Sequence, residues 1–229
     1  MTTMVSSQVT HMAQRPITAA RLIRWSGLVN IATGIFFALE TLLHPVRDIF
    51  NARAMIQQTV LGVSWNIVHT FAILAFVLGL FGLVGLYMRL FERAGWLGFA
   101  GFVISFVGLA LGIGVVVPDA FLFPVFAQYD ATAWLLTVPG VLIPSGEFGI
   151  YLILSGVLLV IGTILFCLAG IRARVLPVWG FFCLGAGIPL VTFGPLADNS
   201  LGLVGAVVGA IGYIWLGYAL WSETPEPAT

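Results

Sequence analysis

Glu40 and His44 stand four residues apart in FFALETLLHPVRD (36–48), at the end of an otherwise apolar run. On a helix they are one turn apart and face the same way. Asn30, Thr33 and Thr41 lie within about a third of the same circumference, and Phe37 falls on that stripe. Pro45 then stops the helix, with Arg47 and Asp48 just beyond. The next apolar run answers with Thr59, Gly62, Asn66, His69 and Thr70 on one face. A carboxylate and an imidazole brought together in a dry pocket can act as acid and base or hold a ligand's polar head. Glu40 and His69 are the candidate catalytic residues. The candidate ligand-binding set is Glu40, His44, Asn66, His69, Asn30 and Glu147.

Four kinds of chemistry fit these residues. The plainest is fastening, with Glu–His and Asn–Thr hydrogen bonds holding helices together. The second is a cavity for a lipid or an apolar small molecule, with or without acid–base chemistry. The third is metal or haem ligation by His44 and His69, aided by Glu40, although no HExxH-type spacing accompanies them. The fourth is a proton-coupled carrier, which the near absence of ionisable residues deeper in the runs argues against. No cofactor is specified, and no Walker loop, serine elbow or dinucleotide fingerprint stands in a suitable context.

Composition shows what must position these groups. Of 229 residues, 60% are hydrophobic and 8% charged, with mean hydropathy +1.10. A soluble domain carries about a quarter charged residues. About 20 apolar residues cross a bilayer core, and six segments qualify, near 22–44, 60–88, 96–117, 148–171, 176–195 and 200–221. Pro45, the polar RLFERAG, Pro118, Pro177 and Pro195 separate them. The expectation is an all-α six-helix membrane bundle over 22–221, between a tail (1–21, with His11) and a short tail (222–229). All nine basic residues are Arg, which excludes a retinal Schiff base on Lys. No basic stripe exists for nucleic acid. Cys167 and Cys183, inside apolar runs, read as reduced space-fillers.

Arg15, Arg21, Arg24, Arg89, Arg93, Arg172 and Arg174 fall on one side of a six-span chain. By the positive-inside rule that side, with both termini, is cytoplasmic. Arg47, Arg53, Asp48, Asp119, Asp130, Glu147 and the Asp198-Asn199 pair fall on the other, with Glu40 and His44. RWSGLVNIATG, GWLGFAGFVISFVG and VWGFFCLGAG each open an odd-numbered span with Trp and Gly, which fits either three related hairpins or the general use of Trp at membrane interfaces and Gly in membrane helices. GLALG and GAVVG have the GxxxG spacing of close helix packing, within the chain or in a homo-oligomer. The segment 118–147 has four prolines yet is rich in Phe, Tyr, Trp and Leu, which predicts an apolar outer loop or lid. Its Phe121, Phe123, Phe126 and Trp134 should meet the bundle or lie at headgroup depth.

The opening AARLIRWSGLVNIATGIFF, and more so GIYLILSGVLLVIGTILFCLAGIRARVLPVWGFFCLGAGIP, resemble an uncharacterised six-span bacterial integral membrane family, a domain of unknown function. The likeness covers about half the chain. It implies the fold and a bacterial cytoplasmic membrane, and transfers no activity. ETLLHPVRD lies outside the shared pattern. The expectation is a protein that binds a lipid-like or apolar molecule at an outer polar site. In it, Glu40 and His69 should approach closely enough to hydrogen-bond, directly or through one water. The alternative is a structural or assembly subunit.

Overall fold

The computed structural model describes residues 18–44, 63–138 and 146–223. Every regular element among them is helical: α1 (Ala19–Leu43), α2 (Val63–Phe121), α3 (Phe123–Gln128), α4 (Asp130–Thr137), α5 (Glu147–Ala173), α6 (Val178–Phe193), a 3-10 turn (Gly194–Leu196) and α7 (Asn199–Ser222). Five are long and apolar enough to cross a membrane, which makes this a membrane protein in character. His11, Pro45, Arg47, Asp48, Arg53, Thr59, Gly62, Pro139 and Pro144, with residues 1–17 and 224–229 of the tails, lie outside the described residues, as does the proposed stop of the first span.

α2 has 59 residues, which straight would reach about 88 Å, nearly three bilayer cores. It is not straight. Gly95 takes φ 57° and ψ −163°, the left-handed region that a side chain disfavours, and the chain folds back there. Tyr87 then stacks on Phe102 at 4.4 Å, and the Trp65 indole donates to the Asp119 carbonyl at 2.7 Å. The two arms, 63–94 and 96–121, therefore run antiparallel. RLFERAG was expected as a non-helical linker, but it is helical up to Gly95. Its Arg and Glu favour helix, and one glycine suffices for the turn. Pro118 also fails to end its span, which continues to Phe121. A proline that close to a helix end removes only one late hydrogen bond.

The helices pack in a ring: α1 on α2, α2 on α5, α5 on α6, α6 on α7, and α7 back on α1. Small residues set the separations. A Cβ on Gly27 would strike the Gly217 carbonyl, and one on Gly187 would strike the Gly209 backbone. In GAVVG, Gly205 and Gly209 both meet α6, as the spacing predicts. GLALG divides its contacts: Gly108 meets α5 at Leu159, and Gly112 meets Phe76. Large apolar side chains are left facing outward, Ile150 (66% exposed) and Phe81 (64%) among them. In water such a surface would aggregate, whereas in lipid it is the expected boundary.

The alternation of direction sorts the charges. The six described arginines, Arg21, Arg24, Arg89, Arg93, Arg172 and Arg174, all lie at one end of the helices. Glu40, His44, His69, Asp119, Asp130, Glu147 and Asp198 lie at the other. In the loop at that second end, α3 and α4 are separated by one residue. Phe123 is buried with its ring 5.8 Å from Phe148 of α5, while Phe121 and Trp134 are half exposed.

Candidate functional site

The cluster begins with the turn at Gly95, because it carries the C-terminal end of α2 back against its own start. The last carbonyls of any helix lack intrahelical donors. Here Trp65 Nε1 donates to the Asp119 carbonyl at 2.7 Å, and Asn66 Nδ2 donates to the Ala120 carbonyl at 2.9 Å. Two side chains of the first turn thus cap the last turn of the same helix. With that geometry set, Asp119 is held beside His69.

His69 is 1% exposed. Its Nδ1 lies 2.8 Å from the Trp65 carbonyl, so Nδ1 carries a proton and donates it. Its Nε2 lies 3.3 Å from Asp119 Oδ2, off the line of a hydrogen bond, and no other aligned partner meets it among the described residues. A lone pair on Nε2 would face the carboxylate unfavourably. The pair is complementary only with a further proton on the imidazole or on the carboxyl. The Asp119 side chain is 29% exposed and so connects this buried nitrogen to the surface.

His44 completes the cluster from α1. Its ring lies 5.1 Å from that of His69 and 5.3 Å from that of Trp65, while Trp65 and His69 lie 4.2 Å apart. His44 and His69 therefore come together, while Asn66 bonds the Ala120 carbonyl of the returning arm. No direct Glu40–His69 hydrogen bond forms: among the described residues His69 is answered by the Trp65 carbonyl and Asp119. Glu40 is buried one turn before His44, and its Oε2 accepts from Thr41 Oγ1 at 2.8 Å. Helical phase on two separate helices missed Asp119 because it comes from the returning arm, whose register depends on where α2 turns.

Asn30 belongs elsewhere. It is fully buried mid-helix, 10 residues or about 15 Å along the axis from Glu40. Its Nδ2 donates to the carbonyls of Ser26 and Gly82, at 2.9 and 3.0 Å. It fastens α1 to the first arm of α2. Thr70 is exposed and, among the described residues, bonds its own helix at the Asn66 carbonyl. Glu147 is exposed in the first turn of α5, with no hydrogen bond or ion pair to either histidine among the described residues. Among those residues no three His, Cys, Asp or Glu side chains converge as a metal site. Cys167 and Cys183 are free thiols.

No family model, no curated protein and no solved structure matches this chain.

Proposed function

We propose that the chain crosses a bacterial cytoplasmic membrane six times, with both termini inside. At its outer end it binds the polar head of a lipid-like or apolar small molecule. The six crossings follow from counting the two arms of α2 separately. Three Trp-led hairpins, α1 with the first arm, the second arm with α5, and α6 with α7, agree with that count. The orientation rests on the six described arginines sharing one end. Cysteines at Tyr129 and Glu92 test it in intact cells. An impermeant thiol reagent should modify the first and spare the second, and the reverse overturns the orientation.

The observation that carries the ligand reading is the buried His69 Nε2, which lacks an aligned partner as Asn30 Oδ1 and Ser105 Oγ also do, but which lies 3.3 Å from a carboxylate, that of Asp119, whose side chain is 29% exposed. Half-buried His44 and partly exposed Asp119 form a graded approach to it. A hydroxyl, amine or amide reaching them would find both a donor and an acceptor. Fastening is the second reading, and Asn30, Trp65 and Asn66 favour it at their own positions. Mass spectrometry of molecules co-purifying with the wild type, Asp119→Asn, His44→Ala and Asn30→Ala separates the two. The ligand reading expects about tenfold less bound molecule in the first two variants, one charge-assisted hydrogen bond lost, and an unchanged amount in Asn30→Ala. Equal recovery from all four would leave fastening as the whole role of the cluster.

A further inference from the structure

A second feature lies at the opposite end, on the lipid-facing side between α5 and α6. Ile164, Cys167, Leu168 and Ile171 of α5 face Phe181, Phe182, Gly185 and Ala186 of α6 across a groove of about 250 Å³. Cys167 and Phe181 are buried and form its floor, while Ile164, Leu168 and Phe182 are partly exposed along its rim. Gly185 deepens it: a Cβ there would come within 3.2 Å of Cys167 Cβ. From Ile164 to Ile171 the groove extends about 10 Å along α5. It is narrow, apolar and elongated, a shape that fits a hydrocarbon chain better than a compact ligand.

The end of the groove is charged. Ile164, Leu168 and Arg172 follow one another at four-residue spacing, so Arg172 continues the same stripe. Arg174, two residues on, holds the C-cap in the left-handed conformation (φ 52°). Both guanidinium groups are exposed, and neither has an ion-pair or hydrogen-bond partner among the described residues. Trp179, 63% exposed with its ring 5.4 Å from that of Phe182, adds an aromatic anchor at the same level. An apolar slot ending in two arginines and a tryptophan has the pattern of a phospholipid: chain, then anionic phosphate. Basic pockets between membrane helices hold anionic headgroups in this way.

We propose that the α5–α6 groove binds one acyl chain of an anionic phospholipid, with Arg172 and Arg174 on its phosphate. The proposal rests on the membrane reading but not on the orientation or on the histidine cluster. The test is native mass spectrometry of the purified full chain, titrated with phosphatidylglycerol or phosphatidylcholine of identical acyl chains. One phosphatidylglycerol should be retained in preference. Each of Arg172→Gln and Arg174→Gln should weaken retention about fivefold, and Arg172→Lys should keep most of it. Both arginines are exposed, so their replacement removes no packing. Ala186→Phe, which fills the groove, should abolish the preference, and free glycerol phosphate, the headgroup without its chains, should fail to compete in the wild type. Equal retention of the two lipids, indifference to both arginine changes, displacement by glycerol phosphate, or a dimer that Ala186→Phe disperses would each overturn it.

Discussion

At the arginine-bearing end, the bundle is closed by contacts that remain half in water. The Arg24 guanidinium lies 4.5 Å from the centre of the Trp221 ring and its Nε donates to the Trp221 carbonyl at 3.1 Å. Arg89 donates to both carboxylate oxygens of Glu223, at 2.9 and 2.7 Å, with both side chains 36% exposed. At the histidine end the corresponding contacts are buried: Trp65 is 4% exposed and His69 1%. The first end has the full ion pair, one Arg89 Nε–H shared between the two oxygens of Glu223, yet solvent and salt screen it. At the second end fewer bonds act where nothing can replace them. The two ends should therefore respond very differently to the loss of a single side chain.

The largest effect is expected at Trp65. Trp65→Ala removes a buried ring and leaves the Asp119 carbonyl without its donor. A loss of about 3–5 kcal/mol in reversible unfolding from detergent micelles would match other buried aromatic truncations. A loss below about 1 kcal/mol would show that the returning arm of α2 is held by something else.

Asp119 should come next. Asp119→Leu leaves the His69 imidazole facing hydrocarbon, with an expected loss of about 1–3 kcal/mol. His69→Leu alone should cost a similar amount, and the double variant less than the sum, because two apolar partners leave nothing unsatisfied. Additive losses would mean that the 3.3 Å contact contributes nothing. At the opposite end, Arg89→Gln should cost at most about 1 kcal/mol, and raising the salt concentration should shrink that difference further. A salt-independent loss of several kcal/mol would erase the contrast between the ends.

The smallest effect is expected at Asp198, the exposed N-cap of α7. Its carboxylate accepts from the Ser200 backbone N–H at 2.7 Å. The side chain and then the backbone of Ser200 hold its carboxyl below the usual carboxylate range. A lowered folded-state value means the stabilisation is present above the unfolded value of 3.8 and fades as pH falls through the folded one. Wild type and Asp198→Ala should therefore differ slightly in thermal stability at neutral pH and converge in strong acid. A difference that widens in acid would contradict the cap.

Hydropathy and charge, summed over about 20 residues, were enough to mark out the helices and to sort their ends. Those terms are local and additive, and they do not depend on which helix touches which. The apolar runs read from the chain fall on α1, α2, α5, α6 and α7, the five helices long enough to cross a membrane, with α2 taking up two of the expected runs and RLFERAG between them. There the turn shrinks to Gly95 alone, since a polar stretch at a membrane surface is as comfortable in a helix as out of it. Glu40, His44, Asn66 and His69 could be singled out because ionisable and amide groups are costly in an apolar run. Their partners could not. Asp119 reaches His69, and Gly82 reaches Asn30, only through the register of one helix against another. That register is set by where the chain turns and by which glycines let backbones touch. These are properties of pairs of segments, so only the folded bundle decided which polar groups come together and which stand apart.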